Sequence, residues 1–165
     1  KSGHMVDESS QLEVVGLDQP FVSRGGIKLR SAIDYFSIET NKIVALDVGA
    51  STGGFTHCLL LAGAEKVFSV DVGYGQLAWE LRQDPRVTLI ERTNFRNIKF
   101  EKIGEKVDLV VVDVSFISLK LILPKTFEFM TDRSIFMEKV KVSPSNINLI
   151  LNRTNLNSFM KLRKI

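Results

Sequence analysis

Three short apolar runs in this chain each close on an aspartate: Ile43-Val44-Ala45-Leu46 before Asp47, Val67-Phe68-Ser69-Val70 before Asp71, and Val107 to Val112 before Asp113. Runs of that length without polar alternation suit strands buried on both faces, which occur in parallel sheets covered by helices. The segments between them change period. Leu29, Ala32, Ile33 and Phe36 recur at helical spacing and predict a helix that opens after Ser23-Arg24-Gly25-Gly26 and runs to about Phe36. Further helices are expected over Phe55 to Ala64, Gln76 to Gln83 and Leu119 to Met130, the last bent in its first turns by Pro124. Val87 to Ile90 and Ser134 to Val142 read as two more strands. Strands alternating with helices specify an α/β fold, a parallel-rich central sheet with helices on both faces.

At 165 residues the chain is long enough for one such domain. Lys1 to Met5 reads as a cloning remnant and residues 6–20 as a linker remnant. The folded domain is expected over 21–142, followed by a basic, Asn-rich segment, 143–165. That last segment is open between a further strand with a terminal helix and an arm that orders on a partner. Cys58 has no second cysteine to pair with, and with only His4 and His57 besides it the chain falls short of a Cys/His zinc site. A reducing compartment is favoured. Asp108, Asp113 and Lys120 interrupt the most apolar stretch, Val107 to Leu123, so no membrane span is expected and a cytoplasmic location follows. The net charge of +3 arises at the end: residues 129–165 hold 7 Lys/Arg against 2 Asp/Glu, while 1–128 hold 15 against 17. A basic tail suits an acidic polymer such as RNA, and equally a solvated end.

Ligands of open parallel sheets collect beyond the carboxyl ends of the strands. Asp47, Asp71 and Asp113 are expected there, although any one alone reads equally well as a turn or cap residue. The loop after Asp47 has glycines spaced Gly49-x-x-x-Gly53-Gly54, which is neither the dinucleotide fingerprint nor a Walker loop. An aspartate ahead of that turn repels phosphate and suits an ammonium or sulfonium group, both carried by S-adenosylmethionine. Asp71 follows Asp47 by 24 positions, close to the offset of roughly 20 at which a second-strand carboxylate accepts ribose hydroxyls. That offset serves any nucleoside ligand, so the loop spacing carries the choice of S-adenosylmethionine over NAD.

The segments Phe21 to Leu29, Leu46 to Thr56, Asp71 to Leu77, Asp84 to Val87, Glu91 to Asn94 and Asp113 to Leu119 closely resemble the TlyA family. These are bacterial proteins labelled haemolysins that act as FtsJ-like ribosomal RNA 2′-O-methyltransferases. The resemblance covers about residues 16–128. It implies a Rossmann-like S-adenosylmethionine-dependent methyltransferase fold acting on cytidine ribose in ribosomal RNA or ribosomal subunits. Of the family's Lys-Asp-Lys-Glu catalytic pattern, the first Lys falls on Lys28, in the Ser-Arg-Gly-Gly-x-Lys-Leu motif, and the Asp on Asp113. The second Lys carries over to Lys141 by position, where Val142 replaces the motif's proline, and the Glu has no counterpart. In the family an S4-type RNA-binding domain precedes the motif that begins at Ser23, and the expectation here is a chain without it. The alternative that follows is a protein that binds cofactor or RNA with weak or no catalysis. A pore-forming role, suggested by the haemolysin label alone, lacks a spanning or strongly amphipathic segment.

Asp47, Gly49, Ala50, Ser51, Thr52, Gly53, Asp71 and Val72 are expected at the cofactor, and Asn94, after the third strand, reads by position as an adenine-side contact or otherwise as a turn residue. By periodicity alone Lys28 is an exposed helix lysine. Arg24 and Arg30 are candidates for RNA phosphate contact, and Tyr74 and Trp79 for base stacking, with Trp79 more simply read as core. His57 and Cys58 read as packing.

Overall fold

The computed structural model describes residues 20–114, 119–141 and 146–152, with 119–120, 138–141 and 146–152 described by their backbone alone. Ser23 begins the first element. Its extended backbone and side-chain oxygen, which accepts the Gly25 amide, cap helix α1, Arg24–Tyr35. Then follow β1 (Val44–Val48), α2 (Gly54–Leu61), β2 (Lys66–Val70), α3 (Trp79–Gln83), β3 (Val87–Ile90), β4 (Val107–Val112), α4 (Leu119–Thr126), β5 (Met130–Lys141) and β6 (Asn146–Asn152).

The strands form one sheet in the order β3-β2-β1-β4-β5-β6. Every neighbouring pair from β3 to β5 is parallel, and β6 returns antiparallel to β5. Chain order reverses between β1 and β4, which makes their carboxyl ends the switch point. Val48 is level with Val70 on one side and Val112 on the other. The residues that follow, Gly49, Asp71 and Asp113, therefore leave the sheet at one height.

Strand alternation divides the core in two. Ala45, Val67, Leu109 and Val111 pack with Leu29, Ile33, Phe55 and Leu59 of α1 and α2. Leu46, Phe68, Val110 and Val112 pack on the other face with Ile122, Leu123 and Phe129. Helices α1 and α2 meet through glycine: a Cβ on Gly26 would lie 2.3 Å from Phe21 Cγ and 2.8 Å from the Gly54 carbonyl oxygen, so only bare backbones fit this crossing.

Several boundaries differ from the sequence reading. Helix α3 starts at Trp79, not Gln76, because Thr52 O accepts the Ala78 amide and Glu91 the Gly75 amide, which hold the preceding residues as a loop. Helix α2 stops at Leu61 rather than Ala64, with Gly63 at positive φ turning the chain. Pro124 falls in the second half of α4, not its first turns. The helix tightens to a 3-10 turn over Phe127–Phe129. Strand β5 begins at Met130, earlier than Ser134, because an irregularity opposite Val107 to Leu109 takes up the extra residues. Ser134 closes it by donating to the Val107 carbonyl and accepting the Thr131 amide. In the Asn-rich segment, Asn146–Asn152 forms β6 on this same sheet, whereas 153–165 lie outside the described residues.

Candidate active site

Two clefts open at the carboxyl end of the sheet and share a wall. The first, about 290 Å³, lies beyond β1, β2 and β4, with Val48, Val70, Phe95 and Ile122 forming its apolar side and Asp71, Thr93 and Asn94 its polar side. The second, about 360 Å³, lies beneath the start of α1 and is lined by Ser23, Arg24, Lys28, Ala50, Thr52 and Phe55. Gly49, Ser51 and Asp113 border both. Gly49 can be nothing larger: its φ is +87°, and a Cβ there would stand 2.8 Å from the Asp113 carbonyl oxygen.

The wall is held by Asp71. Its Oδ2 accepts the Ser51 amide at 2.8 Å, fixing Ser51 at a φ of +50°, and its Oδ1 accepts the Gly73 amide at 2.7 Å. Each carboxylate oxygen keeps a further acceptor site for a ligand hydroxyl. Behind Asp71, Glu91 takes the Gly75 amide and pairs with the Arg82 guanidinium. Burial opposes its ionisation, but Arg82 and Gly75 outweigh that and hold its carboxyl below the usual range.

Asp113 and Lys28 both line the second cleft. Strand β4 delivers the first, and the Asp113 amide donates to Val48 O at 3.2 Å. The first turns of α1 deliver the second. Lys141 ends β5 beside Asn146, and its side chain lies outside the described residues. Gly49, Ala50, Ser51, Thr52, Asp71, Val72 and Asn94 all border one cleft or the other. Asn94 also plays the bland role, its side chain accepting the Arg96 amide at the start of a 3-10 turn.

Other expected residues stand elsewhere. Asp47 lies one residue inside β1, where alternation turns it away from the clefts and toward α2. Its Oδ2 accepts the Thr56 amide at 3.0 Å and the Thr56 hydroxyl at 2.7 Å, while Oδ1 has no partner among the described residues. Gly53 lies behind the loop against Leu77 and Leu81. Arg30 is paired with Asp34 one turn along α1, off the cleft lining, whereas Arg24 is at the second cleft. Trp79 is 74% exposed, not core, because α3 is too short to bury both its ends. Tyr74 is exposed as well, with Arg92 stacked over its ring at 4.0 Å. Gln76, Thr93, Phe95, Arg96 and Ile122 were not foreseen, since only the topology brings their segments to the first cleft.

The first cleft carries Asp71, Asp113 and Arg96, and the second Asp113, Arg24 and Lys28. Burial pushes the Asp47 carboxyl from its ordinary 3.8 up to about 7; the Thr56 bonds oppose the rise, and the neighbouring charges of Asp113 and Asp71 add to it. A carboxyl raised by folding stabilises the fold below its unfolded pKa, and that stability is lost as pH climbs through the folded value. A shift of this size corresponds to roughly 4 kcal/mol, declining between about pH 4 and pH 7. Denaturant midpoints followed across that range should therefore fall in the unaltered protein relative to Asp47→Asn. Parallel curves exclude a buried titrating acid here.

Comparison with known proteins bears on what the clefts are for. The model of the FtsJ-like methyltransferase family matches residues 21–163. The chain belongs to that family. Within its matched span the chain is 52% identical, over 125 residues, to the 16S/23S rRNA (cytidine-2′-O)-methyltransferase TlyA of Mycobacterium tuberculosis; this covers 75% of the chain and 47% of that protein. It is 41% identical over 139 residues to Hemolysin A of Brachyspira hyodysenteriae, covering 84% and 58%. A provisionally assigned hemolysin from Streptococcus thermophilus superposes with a TM-score of 0.72 at 42% identity, over 76% of this chain and 46% of that one. The chain spans about half the length of the first curated relatives it matches. A structure of an S-adenosylmethionine-dependent methyltransferase from Listeria monocytogenes, assigned provisionally, shares the family's sheet architecture at 20% identity and a TM-score of 0.57. Among the described residues no helix is long and apolar enough to cross a membrane, and no group of three or more His, Cys, Asp or Glu is placed to hold a metal ion.

Proposed function

We propose that the chain transfers a methyl group from S-adenosylmethionine to the 2′-hydroxyl of a cytidine ribose in ribosomal RNA, alone or within ribosomal subunits, in the cytoplasm. The observation that carries this reading is the shared wall: an apolar cleft with a carboxylate suited to a nucleoside adjoins a cleft that holds a lysine, and Gly49, Ser51 and Asp113 border both.

The residues fit the cofactor. Val48, Val70, Val72, Phe95 and Ile122 offer apolar surface for an adenine, Asp71 offers acceptors for ribose hydroxyls, and Asn94 offers an amide for the base edge. Asp71 and Asp113 at the lining, with Asp47 buried behind the loop, favour a cation over a phosphate. Arg96, the arginine bordering this cleft, is hydrogen-bonded to Asn94 Oδ1. When bound, S-adenosylmethionine supplies a methyl group activated by its sulfonium. The chain's task is to align a weak nucleophile and manage its proton. Lys28 takes up the hydroxyl proton as a neutral amine, or as an ammonium aligns the hydroxyl by donating to its oxygen, and Asp113 orients the lysine from the strand end. Arg24 holds backbone phosphate at the rim, a contact that positions RNA without reading its sequence.

Calorimetry with S-adenosylmethionine and a labelled-methyl assay on small and large ribosomal subunits test this. Saturable binding and label in the RNA of one or both subunits are expected. Binding without transfer to either overturns the enzymatic reading and leaves a cofactor-binding protein; no binding overturns both.

A further inference from the structure

His57, read from the sequence as packing, does something more specific. It stands in the first turn of α2, and its Nδ1 accepts the Val22 amide at 3.2 Å, across 35 positions of sequence. The Phe21 ring meets the imidazole edge-on, with centroids 5.8 Å apart. Phe21 in turn lies on the Cα of Gly26, and Ser23, which caps α1, presses its Oγ against Gly54. The three residues ahead of α1 are thus clamped between α1 and α2, with the imidazole as the clamp's polar contact. What they carry is one wall of the second cleft: Arg24, Gly25 and Lys28 lie in the first turns that follow.

We propose that His57 is a positioning residue for methyl transfer, holding the Val22 amide so that the first turns of α1 set the Lys28 amine against the shared wall at Asp113. This rests on the methyltransferase reading above and deepens it. The physical ground is the reach of a helix as a rigid body. Lys28 sits little more than one turn from the cap, so a shift of its anchor passes to the amine undiminished, and misplacement by about 1 Å can cost on the order of 100-fold in rate. The contact needs an acceptor at Nδ1, so that nitrogen carries no hydrogen. The first cleft is built from the ends of β1 and β2, the segments after β1, β2, β3 and β4, and Ile122 of α4, with no residue of α1, so the cofactor should not sense the clamp.

The test compares His57→Leu, which fills the space without an acceptor, with His57→Asn, whose Oδ1 falls near the Nδ1 position. S-adenosylmethionine affinity, thermal melting, and kcat and KM on ribosomal subunits are measured for each. The leucine variant is expected to lose about tenfold or more in kcat at saturating RNA, with cofactor affinity within about twofold, and the asparagine variant to recover most of the loss. A purely structural histidine moves the melting temperature without this split. Unchanged kcat in the leucine variant overturns the proposal, as does an equal loss in both variants or a loss of cofactor affinity that matches the loss of rate. If the leucine variant does not fold, His57→Gln, with its acceptor displaced by one bond, takes its place in the same comparison. Absence of transfer by the unaltered chain overturns the enzymatic reading itself, and this proposal with it.

Discussion

Replacing Lys28 by alanine is expected to lower methyl transfer by about 10²- to 10⁴-fold, the range that a positioned proton acceptor contributes, while S-adenosylmethionine still binds within a few fold. The separation follows from geometry. Lys28 lines the second cleft and not the first, and the shared wall of Gly49, Ser51 and Asp113 stands between them. Asp113→Asn keeps the shape of that wall and removes its charge, so it should also reduce turnover. Its effect on the cofactor should be larger than that of Lys28→Ala, because Asp113 borders both clefts. Single-turnover rates at saturating cofactor, set beside calorimetric affinities, check both variants. Turnover equal to that of the unaltered chain in Lys28→Ala removes the lysine from the reaction.

The second large effect is at Asp71. Asp71→Ala should weaken S-adenosylmethionine binding by about 1 to 3 kcal/mol, roughly 5- to 150-fold, as expected when polar partners in a cleft go unpaired. Two losses combine: the acceptors offered to ribose, and the anchor of Ser51, whose amide Asp71 holds at 2.8 Å while Ser51 is in the left-handed region. Asp71→Asn distinguishes them. An asparagine oxygen can still accept one of the two amides, of Ser51 and Gly73, that the Asp71 carboxylate accepts, so its gain over alanine measures how much of the effect a single retained acceptor restores. Calorimetry of the two variants reads the difference directly. Full affinity in Asp71→Ala would falsify the ribose assignment.

Much of the fold was legible because its signals are local. Apolar runs on β1, β2 and β4 announce strands covered on both faces, and the i, i+3, i+4 recurrence of Leu29, Ala32 and Ile33 announces α1. The boundaries that shifted are those where long-range bonds override local preference. Glu91 and Thr52 keep Gly75 and Ala78 out of α3, and the Ser134 bridge to Val107 absorbs the irregular start of β5.

The amino-acid order alone indicated the chemical types at the site: aspartates at strand ends, a glycine turn that refuses phosphate-binding spacing, and, through the resemblance to a family, Lys28 and Asp113 as expected catalytic partners. Tertiary structure decided which of them face a ligand. Asp47, level with Ser69 and Val111 inside the sheet, is buried beside Thr56, whereas Asp71 and Asp113 come two positions further along, past the last paired residues Val70 and Val112, and so reach the clefts. It also brought Phe95, Ile122 and Thr93 to the first cleft, and gave the His57 imidazole its acceptor role ahead of α1. Those contacts join segments far apart in the chain, and no local pattern of residues encodes the distance between them.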